Sequence, residues 1–277
     1  MEPFVKKVEV NGLETYRIER WESLATYLSA GFSSRIGGVS EDHYNSLNCA
    51  LHVMDRPEHV IENRQRLAAA AGFSFDAWTC AEQVHEADVA VVTRPERGSG
   101  KDRRETALAG KDALITNDPN TMLVSFYADC VPLYYFDPEN RAVGLAHAGW
   151  KGTSKAIAAR TVEALHAAFG SDPARIYAAI GPSIGPCCYE VDERVISAMR
   201  EAHIDEGWIQ QPNGRYMIDL KEINRQILIK AGILASHIEL STWCTSCAAL
   251  SFYSHRRDQG RTGRMASWIG MREVTIS

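Results

Sequence analysis

Residues 121–153, TMLVSFYADCVPLYYFDPENRAVGLAHAGWKGT, decide how this chain is read. Thr121 to Phe136 is rich in β-branched and aromatic residues. Its apolar groups fall on both faces, the pattern of a strand buried in the middle of a sheet. Pro138-Glu139-Asn140 is turn chemistry, and Arg141 to Ala148 is a second apolar run that stops at Gly149. With Asp137–Asn140 as the loop, Phe136 pairs with Arg141 and Cys130 falls opposite His147. A loop one residue shorter shifts that pairing by one. Directly opposed residues on one face carry Cβ atoms about 4.5–5.5 Å apart. A thiol and an imidazole at that separation can share a metal ion, or act as nucleophile and base.

The rest of the chain sets bounds on that pair. Its 277 residues, 45% of them hydrophobic, suffice for a sizeable core, and α/β folds of this length often form one unit. A net charge of −5 and a pI near 6.0 leave no basic footprint for nucleic acid. The first residues, MEPFVKKVEVNGLETYRIERW, hold no continuous apolar h-region, and no run of about 18 apolar residues could span a membrane. Cys 7 is an odd count at scattered spacing. Reduced thiols and a cytoplasmic location are expected.

Taken in order, the chain opens with a hairpin around Asn11-Gly12. Residues 30–40 follow, with Arg35 and the pair Gly37-Gly38, which could let backbone approach a ligand. Pro57 to Ala71 reads as a helix stopped by Gly72. His85 stands in a polar turn before the strand Val89–Val92. Residues 94–111 are charged and glycine-containing, as in a mobile loop or lid. A short strand at 112–116 precedes the central hairpin. Thr153 or Ser154 can cap a helix running to Phe169. Further strands are expected at 175–180, 238–243 and 265–271, and helices at 192–202 and 219–231. Hairpins mixed with helices predict an α/β fold, a single domain over 1–277 with mixed β-sheets and layered helices.

Cys130 and His147 alone are a weak signal, because buried cysteines are commonly inert and single histidines commonly structural. His85 is a candidate third ligand. One thiolate and two imidazoles suit zinc, and three protein ligands leave the fourth tetrahedral position for water, which can ionise near pH 7. Cys187-Cys188 with Cys244-x-x-Cys247 is a second candidate. Adjacent cysteines, however, do not easily reach two tetrahedral corners, and the usual spacing is two to four intervening residues.

Eight segments carry a family resemblance: FSSRIGGVS (32–40), SLNCALHV (46–53), ENRQRL (62–67), EQVHEADV (82–89), YADCVPLYYFDP (127–138), GLAHAGWKGT (144–153), IGPSIGPCCYEV (180–191) and FYSHRRDQGRTGR (252–264). On these the chain resembles the laccase-domain or YfiH-like proteins, once called multicopper polyphenol oxidases, in their Gram-positive form. The resemblance implies a single α/β domain related to a class of cysteine hydrolases. It implies a zinc ion held by His85, Cys130 and His147, and phosphorolysis of adenosine, inosine, guanosine and methylthioadenosine. Deamination of adenosine is implied as well, and for Gram-negative members an editing role on peptidoglycan precursors.

The oxidase label can be tested on the sequence. A trinuclear copper cluster needs several His-x-His pairs, and no two of the nine histidines are separated by a single residue. A lone His₂Cys site could bind blue copper but could not by itself reduce oxygen by four electrons. Copper is therefore disfavoured. Deamination needs a proton shuttle, for which Glu82 and Asp129 are the nearest carboxylates. No H-x-E accompanied by P-C-x-x-C, the signature of zinc nucleobase deaminases, is present. Phosphorolysis needs an anion site. Lys151-Gly152-Thr153 ahead of a helix offers one, with Arg35 and Arg256 as further phosphate candidates. Phe32 and Tyr127 are candidates to stack on a purine.

Overall fold

The computed structural model describes residues 2–10 and 12–273, so Asn11 of the opening turn lies outside the described residues. Among the described residues the strands form two six-stranded sheets and one of three strands. The first sheet runs β1 (Val5–Val8), β2 (Glu14–Arg17), β3 (Leu28–Ser33), β15 (Met265–Met271), β7 (Met122–Tyr127) and β4 (Trp78–Cys80). The second runs β14 (Ile238–Leu240), β10 (Tyr177–Ile180), β8 (Val131–Asp137), β9 (Ala142–Ala148), β6 (Ala113–Thr116) and β5 (Val89–Val91). Both mix parallel and antiparallel pairs. The small sheet is β11 (Glu190–Val191), β13 (Tyr216–Ile218) and β12 (Trp208–Gln210). Helices are α1 (Glu19–Leu24), α2 (Pro57–Ala71), α3 (Trp150–Ser154), α4 (Ile157–Phe169), α5 (Glu193–Glu201) and α6 (Leu220–Lys230).

The period-2 alternation of strand side chains builds the layers. From β8, Tyr134 and Phe136 pack with Phe32, Leu123 and Ile269 of the first sheet. Their neighbours Leu133 and Tyr135 turn the other way, onto Ile157, Val162 and Leu165 of α4 and Ile223 and Leu228 of α6. On the far side Leu67 and Ala68 of α2 cover Trp78, Val124 and Trp268. The result is a four-layer stack of helix, sheet, sheet and helices. A central strand buried on both faces needs apolar residues at every position, which explains the unbroken runs read in the sequence.

The central stretch departs from its expected form. Thr121–Phe136 is two strands in different sheets, not one. They are joined by a corner at Ala128–Cys130 where Asp129 adopts a left-handed φ of 88°. Asp129 fixes that corner. Its Oδ1 accepts from the Thr245 hydroxyl (2.7 Å), and its Oδ2 accepts from the Ser254 hydroxyl (3.0 Å) and the Arg256 amide (2.7 Å). The hairpin loop also begins one residue later than expected, so Asp137 pairs with Ala142 and Pro132 with His147. The Asp137 carboxylate causes this by accepting the Glu139 and Asn140 amides and closing the turn from inside the ladder.

Three further expectations change. Gly37 and Gly38 admit the chain itself, since a Cβ on Gly38 would stand 2.1 Å from the Ser46 carbonyl and 2.5 Å from Asn63 Oδ1. Residues 94–111 are pinned rather than lid-like. The buried Arg64 guanidinium donates to the carbonyls of Gly100 (2.7 Å) and Lys101 (2.9 Å), and also to that of Cys49 (2.7 Å). The helix after the hairpin starts at Trp150, and breaks at Ala156 (φ 56°) before α4 begins. Lys151-Gly152-Thr153 is thus inside a short helix, not ahead of one. The helices at 57–71, 192–202 and 219–231 form within a residue or two of their expected bounds. Gly72 ends the first at φ 82°, and the Asp219 side chain caps the last.

Candidate metal centre and cavity

His85, Cys130 and His147 come together from three elements, with ligand atoms within 4.8 Å of one another. His147 is near the end of β9 and 3% exposed. Its cross-strand neighbours are Pro132 on one side and, by continuation of the β6–β9 register, Asp112 on the other. The His147 amide donates to the Asp112 carbonyl at 2.8 Å. Cys130 ends the corner before β8, one step beyond the ladder and level with Gly149. His85 sits in a turn at φ 62°, its ring set edge-on to His147 with centroids 4.7 Å apart.

Glycine at 149 leaves room for this convergence. A Cβ there would lie 3.1 Å from Cys130 Sγ and 3.2 Å from His85 Nδ1. The space between the three donors is thus kept open by a missing side chain. One sulfur and two imidazole nitrogens match the donor preference of zinc, so the residues present fit such an ion.

Asp112 is the residue that sequence reasoning missed. Its Oδ1 lies 2.9 Å from His147 Nδ1 and also accepts the His85 amide at 3.1 Å. Its Oδ2 accepts the amides of Val84 (3.1 Å) and Glu86 (2.8 Å). One carboxylate therefore turns His147 Nε2 toward the other donors and shapes the turn that presents His85. Carboxylates behind ligating histidines hold tautomer and ring orientation in this way. Its signal was its place at the mouth of a strand that pairs with β9, which a local reading of 112–116 does not reveal. Tyr127 packs behind His147 at 5.5 Å and donates to the Ala146 carbonyl at 3.1 Å.

The charges follow from this packing. Burial works against the charge of His147 but is outweighed by Cys130 and the Asp112 carboxylate, which lift its pKa to about 9. Partial burial, then the neighbouring His147, pushes His85 down to about 4. Burial also opposes ionisation of Asp112, yet the His147 bond and the amides hold its pKa below the usual value.

The trio opens into a cavity of about 570 Å³, within the range of small-molecule sites. Lys151 and Arg256 line it, joined by Arg104 and Arg264, which the sequence did not single out. Arg256 also donates to the Glu190 carbonyl (2.6 Å) and lies 5.0 Å from the Tyr189 ring. Glu82 and Asp129 line the cavity too, but Asp129 has both oxygens committed to the β7–β8 corner. Three expected contacts are corrected. Phe32 is fully buried between Tyr127 and Phe252, and Tyr127 is 1% exposed, so neither offers a face to a purine. Arg35 donates twice to the Asn45 carbonyl (3.1 and 3.0 Å) and stacks on Tyr253, away from the cavity lining. The aromatic walls are instead Phe126, Trp150 and Tyr189.

Comparison with known proteins agrees with this architecture. Residues 29–272 match the family described as multi-copper polyphenol oxidoreductase laccase. The chain is 46% identical over 247 residues to a protein of Geobacillus stearothermophilus named purine nucleoside phosphorylase YlmD, covering 88% of this chain and 90% of that one. A protein of the same name from Bacillus subtilis is 45% identical, with 88% and 89% covered. The crystal structure of YlmD from Geobacillus stearothermophilus superposes with a TM-score of 0.92 at 42% identity, covering 98% of this chain and all of that one. The chain belongs to the laccase-domain, YfiH-like family, among relatives that carry the name purine nucleoside phosphorylase.

Proposed function

We propose that this protein is a zinc-dependent purine nucleoside phosphorylase. It would convert adenosine, inosine, guanosine or methylthioadenosine, with phosphate, to the free base and ribose 1-phosphate. Adenosine deamination would be a side activity. The observation that carries the reading is a three-donor His₂Cys cluster at the floor of a cavity lined by four cationic side chains. The names of the relatives support it. In this reading His85, Cys130 and His147 hold the ion, and Asp112 positions both histidines. Bound there, zinc supplies Lewis acidity and an open coordination position.

The other roles fall to the cavity walls. Lys151, Arg104, Arg256 and Arg264 bind the phosphate, with the guanidinium groups suited to bidentate contact. Tyr189 and Phe126 take the base. Glu82, half-buried at the cavity, is the carboxylate placed to carry a proton. The oxidase chemistry in the family description stays disfavoured, because the histidine spacing supplies no His-x-His pairs.

One observation favours a second reading. Cys130, His147 and Asp112 stand in the order of a nucleophile, base and orienting carboxylate. That order suits a metal-free cysteine hydrolase acting on an amide, such as one in a peptidoglycan precursor. Replacing Cys130 or His147 by alanine separates the two. Under the first reading each variant loses the ion of this centre together with phosphorolysis of inosine. A variant that loses that ion yet still releases hypoxanthine overturns it. Stoichiometric labelling of Cys130 by an electrophile in metal-free, active protein supports the second.

A further inference from the structure

We propose that Cys187, Cys188, Cys244 and Cys247 bind one zinc ion, in a closed structural site separate from the His85–Cys130–His147 centre. The observation is geometric. All four sulfurs lie within 4.8 Å of one another, although the two cysteine pairs are more than fifty residues apart in sequence. Cys187 Sγ and Cys188 Sγ stand 3.6 and 3.4 Å from Cys247 Sγ. A tetrahedron of thiolates at the zinc–sulfur distance of about 2.3 Å has corners about 3.8 Å apart. The two spacings to Cys247 are near that value, and the 4.8 Å bound keeps all four sulfurs within reach of one ion. All are free thiols.

The fold explains the convergence. β10 and β14 are adjacent parallel strands, so the loops leaving their ends emerge side by side. The loops are tied together by the Thr245 amide donating to the Ser183 carbonyl (3.0 Å). Adjacent cysteines were the objection to this site in the sequence. The turn at Gly185–Tyr189 answers it, because the amides of Cys188 and Tyr189 both donate to the Gly185 carbonyl (3.0 and 3.1 Å). With that tight turn both thiols stand against Cys247. Gly185 lies under the cluster, where a Cβ would come within 3.3 Å of Cys187 Sγ, and its amide donates to Cys244 Sγ at 3.2 Å. Amide donors to sulfur are what a ligating thiolate recruits around a metal. Cys244-x-x-Cys247 has the spacing common to zinc ligands.

The ion's role follows from what the two loops carry. Ile184 and Tyr189 line the cavity. The Thr245 hydroxyl holds Asp129 at the β7–β8 corner, and Arg257 donates to the carbonyls of Thr245 and Ser246 (3.0 and 3.1 Å). A zinc clip fixes this wall without touching the reacting atoms, so its loss is read as a fall in stability and a raised KM.

Elemental analysis of full-length protein purified under reducing conditions tests the site, in wild type and in the H147A and C187S/C247S variants. The wild type is expected to carry about two zinc equivalents per chain, and each variant about one. Cobalt(II) substitution of H147A is expected to give intense sulfur-to-metal charge-transfer bands. A wild type from which C187S/C247S removes no zinc, or H147A with neither zinc nor a cobalt–thiolate band, overturns the proposal. So does a non-reduced mass two daltons low with two of the four cysteines closed to alkylation, the mark of a disulfide. A second equivalent found as iron overturns the assignment to zinc. Should C187S/C247S fail to fold, the wild-type and H147A measurements still decide.

Discussion

The Asp112 carboxylate receives the His147 ring N–H and three backbone amides from residues 84–86. It touches both the His147 ring and the turn that carries His85. Asp112→Asn keeps the size and the fold but presents the wrong partner to His147 Nδ1 and to at least one amide. Loss of such a supporting contact typically weakens metal affinity 10–100-fold. We therefore expect zinc affinity of D112N, measured by chelator competition, to fall by about that factor; unchanged affinity counts against the role given to Asp112. At this scale the sequence was only partly legible. His85, Cys130 and His147 are visible as residue types in polar or strand-end positions. Asp112 is not, because its importance comes from β6 lying beside β9, a pairing across thirty-odd residues that no local pattern records. Phe32 and Tyr127 misled for the converse reason. An aromatic residue near a motif looks the same whether it faces a ligand or the opposite sheet.

Strand and helix identities were legible where periodicity and caps agree, as in α2 with Pro57 and Gly72, or α6 with Asp219. Corners were not. Nothing in an unbroken apolar run from Thr121 to Phe136 announces that the chain changes sheets at Asp129. The loop 94–111 shows the same limit, since its charge suggested mobility while Arg64 holds it from α2. Arg64 is fully buried, with Phe126 4.6 Å from its guanidinium carbon. Arg64→Met leaves the carbonyls of Cys49, Gly100 and Lys101 without this donor. A cost of about 3 kcal/mol is expected, a fall in Tm of roughly 6–10 °C. The same variant should raise KM, because the released loop carries Arg104 into the cavity. A melting curve matching the wild type would show that the loop does not depend on Arg64.

At the scale of the whole molecule, two sheets back to back bury the strands on both faces. His85, Cys130 and His147 gather where β7 and β9 end and β8 begins. Among the described residues no helix is long and apolar enough to cross a membrane. Charge couples this architecture to metal. His147 has a pKa near 9 in the metal-free protein, above its ordinary 6.5. Its contribution to stability is thus full below pH 6.5 and is lost as pH rises through 9. Metal binding requires the neutral ring, so affinity rises with pH over the same window. The Tm gap between zinc-loaded and chelated protein is therefore expected to widen from pH 6.5 to 9. A gap that stays constant contradicts a metal bound through His147.

Phosphorolysis at the proposed metal-binding cavity is tested by incubating the purified protein with adenosine, with and without phosphate. Adenine and ribose 1-phosphate are expected only when phosphate is present, with any inosine forming equally in both. Adenine release independent of phosphate, or no base released under either condition, would contradict it.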